Sequence, residues 1–201
     1  MKQIKIFGFL IISAILFSLP SAAFAGNWTI DSAHSFDGFK IKHMMISDVR
    51  GSFRDVQGTA VFDANDLKQA KVNVEIAAAS IDTGIKKRDD HLRSADFFDV
   101  EKYPTLTFTS KQVKNISGDN FTLVGDLTIH GVTKEVELAV TGPTAEMKDP
   151  WGNTRRAAKA TTEINRKDFG LTWNSVLEAG GVLVGDEVQI EIEVQFIKQA
   201  G

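Results

Sequence analysis

The sequence predicts an all-β fold: an eight-stranded antiparallel barrel with one short helical insertion, a lid, around residues 84–98. Three observations predict it. Apolar and polar residues alternate with period two through most of the chain, as they do in strands with one buried face. The alternating segments are joined mostly by hairpin-length turns with almost no room for βαβ crossovers, so neighbours in sequence pair antiparallel. The alternation breaks most clearly over residues 80–104, SIDTGIKKRDDHLRSADFFDVEKYP, where Gly84 opens a charged run ending at Arg93. Asp89 and Arg93 stand four apart in that run and would pair along one helix face, with Leu92, Phe97 and Phe98 turned down onto the barrel.

Residues 1–25 read as a cleaved export signal. Lys2 and Lys5 form the positive start, an apolar stretch follows, Pro20 breaks it, and Ala23-Phe24-Ala25 supplies small residues at a cleavage site. Residues 26–201 then form one domain, expected in the periplasm as a secreted protein with no transmembrane segment in the mature chain. The net charge of −3 becomes more negative once the two lysines leave, and with no basic stripe this argues against nucleic acid as a partner. No cysteine is present, which removes disulfides and thiolate chemistry.

Along the chain, residues 27–30 form a short extended piece. Residues 35–45 follow, with Phe39, Ile41 and His43 on one side and Lys40 and Lys42 on the other. A second strand is expected to start at Gly51-Ser52-Phe53, carry Val61 and end near Asp63. Residues 71–80 place Val72, Val74, Ile76 and Ala78 on one face. After the insertion, Leu106 and Phe108 lie inward, then Phe121, Leu123, Leu127 and Ile129. His130-Gly131 is a two-residue hairpin turn leading to Val132, Val136, Leu138 and Val140. A weaker strand carries Ala158, Ala160, Thr162 and Ile164. A second break, residues 165–185, holds Phe169, Leu171 and Trp173, and the chain closes on Val188, Ile190, Ile192, Val194 and Phe196.

Such a chain folds as a sandwich or a closed barrel, and closure removes the sheet edges that a disulfide-free exported protein must otherwise protect. An eight-stranded barrel is just wide enough to be packed by side chains or to hold one slim ligand. The small inward residues Ala78, Ala158, Ala160 and Thr162 favour the ligand.

The motifs, in order, are Asp31-Ser32-Ala33-His34-Ser35 with His43 beyond it, Gly51-Ser52-Phe53, Ser80-Ile81-Asp82-Thr83 and Arg88-Asp89-Asp90-His91-Leu92. Asp96-Phe97-Phe98-Asp99, Tyr103-Pro104, the run from Gly125 through His130-Gly131 to Thr133, and Arg166-Lys167-Asp168-Phe169-Gly170-Leu171 complete them. Together they make the chain resemble the YceI family, bacterial periplasmic polyisoprenoid-binding proteins with a lipocalin-like barrel. The resemblance covers nearly all of residues 26–201. It implies a lumen that holds an isoprenoid chain, such as a quinone tail or polyprenyl lipid, with no known catalytic activity. A homodimer would be in keeping with the family. Phe36-Asp37-Gly38 departs from the family's more usual small or aliphatic residues.

On this reading the lining candidates are Phe39, Ile41, His43, Val74, Ile76, Phe108, Leu127, Ile129, Val136, Ile164, Trp173, Ile190 and Val194, and each serves equally well as plain core. His43 is the candidate for a polar contact to a head group. The four histidines lack metal-ligand spacing, so no metal site is expected. His34 and His91 are expected to tie the lid to the first strand through Asp31 or Asp82, with Arg88 and Asp89 as structural pairs. No nucleophile stands paired with a base, so no catalytic residue is assigned and the protein reads as a non-enzyme. No cofactor is required, and a bound isoprenoid lipid is the expected partner. The function expected is a periplasmic carrier or store of such a lipid, with envelope stress as one setting. The alternatives are an enzyme acting on the lipid through His43 or His34, and an interaction module with a packed barrel.

Overall fold

The computed structural model describes residues 26–177 and 180–200, and the expected signal at 1–25 lies outside the described residues. The strands and helix are β1 (Gly26–Ile30), β2 (Phe36–His43), β3 (Ser47–Phe53), β4 (Val56–Asp63), β5 (Asp66–Ala77), β6 (Ile81–Asp82), α1 (Lys86–Arg93), β7 (Thr105–Ser117), β8 (Asn120–Ile129), β9 (Val132–Thr141), β10 (Met147–Lys148), β11 (Thr154–Asn165) and β12 (Val184–Lys198). Antiparallel pairing runs β1–β4–β5–β7–β8–β9–β11–β12 and returns from β12 to β1, closing an eight-stranded barrel.

The 15-residue β12 is long enough to serve two partners on one side. Its last residues pair with β1, as Phe196 does with Ile30, and its earlier ones pair with β2, as Ile190 does with Phe39. Between β1 and β2 a 3₁₀ turn, Ser32–His34, steps the chain over, capped by the Asp31 carboxylate accepting from the Ala33 N–H. Asp31 also accepts from Arg155 of β11, and Arg155 donates to Asp149 at 2.7 Å. Burial works against the Asp149 carboxylate, but hydrogen bonds from Arg155, Asn153 and the Trp151 N–H outweigh it and bring its pKa down to about 2.

The strand expected over residues 51–63 is two strands. Arg54 and Asp55 form a corner in which the Arg54 N–H donates to Ser80 and the Asp55 carbonyl accepts from Ala77. β3 turns back onto β2 and takes β6, whereas β4 joins β1 and β5. The corner shifts the parity of the inward row, so Val56, Ala60 and Phe62 are buried and Val61 lies on the outer face. The strand expected over residues 35–45, β2, ends at His43, because Met44 and Met45 take left-handed backbone and form the turn into β3.

The interior is stacked along the barrel axis. At one end Trp28 lies parallel to Phe62, with ring centroids 5.3 Å apart, among Leu67, Ala70 and Phe196. In the middle are Phe108, Leu123, Leu138, Val140 and Ala160. At the other end are Ala78, Leu106, Ile129, Ile164, Phe169 and Leu171. Gly125 makes room for the middle layer, since a Cβ there would meet the Phe108 ring at 2.5 Å. His130 and Gly131 form the expected hairpin turn, both at positive φ, and Tyr103 packs against His130 at 4.4 Å.

Candidate ligand tunnel

The inward rows enclose a cavity of about 900 Å³, toward the upper end of what small-molecule sites occupy. It runs from Phe62, Leu67, Ala70 and Phe196 at the Trp28 end to His43, Ile85, Lys87 and Leu183 at the other. Its wall is hydrocarbon apart from a few side chains, chiefly Asp37, Lys42, His43, Lys87, Arg88, His91, Thr162 and Arg166. Lys42, Ile85 and Lys87 are exposed, so the cavity meets solvent where α1 and the end of β2 lie. Exposed apolar side chains, Met44, Met45, Ile46 and Val176, are carried by the β2–β3 turn and by the loop before β12.

All thirteen lining candidates lie on this wall, including His43 and Trp173. The small residues Ala158, Ala160 and Thr162 also lie on it, and they leave the middle unfilled. Several wall residues were not among the lining candidates: Phe53, Val72, Phe121, Leu138, Ile192, Arg166 and Asp37. Val72, Phe121, Leu138 and Ile192 stand on inward rows beside candidates, whereas Phe53 closes β3, which carried none. Arg166 gave no periodic signal, and Asp37 stood out only within the Phe36-Asp37-Gly38 departure from the family pattern.

Arg166 is 3% exposed and holds the loop at the mouth together. Its guanidinium donates to the carbonyls of Gly185 (2.7 Å), Trp173 (2.9 Å) and Leu171. Burial pulls its pKa down, and the Asp186 carboxylate opposes that. Trp173, fixed in this way, meets His91 of α1 at 4.9 Å and Phe97 at 5.1 Å. Lid and loop therefore close over the same end.

The lid is secured differently from the expectation. Asp89 does not pair with Arg93. It is 6% exposed and turns back to Thr83, accepting from the backbone N–H at 2.9 Å and from the hydroxyl. Arg88 donates to the same hydroxyl and to the Thr83 carbonyl. Arg93 reaches under the lid to the carbonyls of Ala79 and Ile81 and meets Asp90 at 3.4 Å. Residue 89 faces back toward the segment that precedes the helix, where the Thr83 N–H and hydroxyl present two donors within reach of one carboxylate oxygen.

The histidines do not join lid to first strand either. His34 bonds Asp31 at 2.9 Å, beside Arg155 at the strand crossover, while His91 bonds Asp96 at 2.9 Å within the lid. Asp82 instead accepts from the Gly84 N–H and from Arg54, and these two, in that order, hold its carboxyl below the ordinary range. No group of three or more metal-ligating side chains occurs among the described residues, and none of the described helices is long and apolar enough to cross a membrane.

Comparison with known proteins places this architecture. The YceI-like domain model matches residues 28–196. The chain belongs to the YceI-like family. Among YceI-like relatives, a UPF0312 protein of Photorhabdus laumondii is 45% identical over 153 residues, covering 75% of this chain and 79% of its own length. BcnA of Burkholderia cenocepacia superposes with a TM-score of 0.70 at 26% identity, covering 83% of this chain and 98% of that one. A polyisoprenoid binding domain from Saccharophagus degradans shares the fold, with a TM-score of 0.63 at 16% identity, over 86% of this chain and 98% of that one.

Proposed function

We propose that this YceI-like protein is a periplasmic carrier or store for an isoprenoid lipid, an isoprenoid quinone or a polyprenyl chain, held in the barrel lumen. The observation that carries the reading is the cavity itself: long, walled by hydrocarbon, closed at the Trp28 end and reached past a lid. A chain of isoprene units is long, slim and apolar to match. Each buried carbon contributes about 0.8 kcal/mol, so one isoprene unit supplies up to roughly 4 kcal/mol before the loss of chain entropy. Affinity then comes from length, and selectivity from tunnel depth and the few polar wall groups. The binding named for the Saccharophagus neighbour supports the same class of ligand. The leader-like residues 1–25 support export to the periplasm. Binding without catalysis is favoured because, among the described residues, the wall presents no nucleophile paired with a base.

The test is mass spectrometry of an organic extract from protein purified out of a periplasm. An isoprenoid at near-equal stoichiometry is expected. An extract without lipid, from protein that also takes up no quinone analogue, would overturn the reading.

A further inference from the structure

Side chains alternate along β2, and Asp37 shares the parity of Phe39, Ile41 and His43, so its carboxyl faces the cavity. Its neighbours hold it there. Phe36 turns to the outer face and lays its ring over Gly38, where a Cβ would stand 2.3 Å from that ring. A one-residue slip of β2 would bring Phe36 inward only by bringing Lys40 and Lys42 in as well. In register beside Asp37 are Ile192 of β12 and Phe53 of β3. Among the described residues it has no hydrogen bond and no ion pair, and burial by itself moves its pKa, up to about 6. It lies six positions before His43, roughly 20 Å down the strand at about 3.3 Å per residue. An ionised carboxylate in such surroundings is costly unless a donor reaches it.

We propose that Asp37 is the polar subsite of the tunnel, selecting ligands whose apolar chain carries a hydrogen-bond donor, a hydroxyl or an amine, over the same chain without one. The proposal rests on the lumen holding an isoprenoid-type chain. A ligand with a donor satisfies the ionised carboxylate at depth, whereas a hydrocarbon or ether strips that carboxylate of water and donates nothing in return. A hydrogen bond to a charged group separates two such ligands by about 10- to 100-fold.

The experiment is competition between geranylgeraniol and its methyl ether, which share one chain and differ by one donor. Both are offered to delipidated wild-type protein and to Asp37→Leu and Asp37→Ala, the second keeping the lumen open where the first could crowd it. The bound ratio is read by mass spectrometry. Wild type should favour the alcohol at least about tenfold. Both variants should lose the preference and take the ether at least as well as wild type does. Equal uptake by wild type, or an unchanged preference in both variants, overturns the role of Asp37 and leaves the isoprenoid reading standing. Uptake of neither probe by wild type removes that reading and the subsite together.

Discussion

A carboxyl whose pKa stands near 6 when folded, against an ordinary 3.8, holds its proton more tightly in the native state than in the unfolded one. For Asp37 the consequence has a definite sign. Stability linked to this group is full below about pH 4, falls as pH rises through 6, and is level above it. A rise of about two units corresponds to about 3 kcal/mol. Asp37→Asn should therefore flatten denaturant-unfolding stability between about pH 4 and 7 and raise it near pH 7 by up to about 3 kcal/mol. An unliganded variant as pH-sensitive as its parent over that window would show that the carboxyl is solvated. Arg166 is buried too, but its guanidinium already donates to three carbonyls and meets the Asp186 carboxylate.

At the scale of the element, the lid is the part whose structure depends on a few polar contacts. Helix α1 has eight residues, too short to persist alone. Asp89 and Arg88 both converge on Thr83, and Arg93 ties the helix to the segment beneath it. Asp89→Ala leaves the Thr83 N–H and hydroxyl without their acceptor, at about 1–3 kcal/mol. Amide hydrogen exchange should quicken across residues 83–98 while β8 and β9 keep their protection. Equal acceleration in the lid and in those strands would mean that the lid does not open separately from the barrel. The β3–β4 corner is held chiefly by backbone bonds at Ser80 and Ala77, with the Arg54 side chain adding a bond to Asp82.

For the whole molecule the question is what fills the barrel. Stability does not come from a solid core, because small residues of β11 leave space that the aromatic rings opposite do not take up. Ala160 sits in the middle layer, beside Val140 and Ile192 on the neighbouring strands. Ala160→Phe should occupy the lumen at that level. We expect the variant to fold, with ligand uptake reduced at least about tenfold, because a ring placed in open space strains less than one forced into a packed core. Normal uptake in a folded variant would place the chain elsewhere. A barrel stapled by its ligand should also gain thermal stability with ligand concentration, as any binder of the native state confers.

Sequence by itself determined the class of fold, the inward rows of most strands, the position of the lid and the family. All four follow from local facts: period two, turn residues, and motifs read in order. The thirteen lining candidates on the cavity wall were legible for that reason, because parity along a strand fixes the face. Tertiary structure alone decided the rest. The break at Arg54 and Asp55 looks like continuous alternation until β3 and β4 are seen to choose different partners. Asp89 and Arg93 obey helix spacing, yet the aspartate turns to Thr83, whose N–H and hydroxyl the fold brings beside it, and Arg93 turns to carbonyls beneath the lid. Asp37 stands in the sequence only as part of a departure from the family pattern, and the tertiary structure shows what lies beside it: Ile192 and Phe53, with no hydrogen-bond donor to it among the described residues. Which face of a strand meets the lumen is a local property; what stands beside it across the barrel is not.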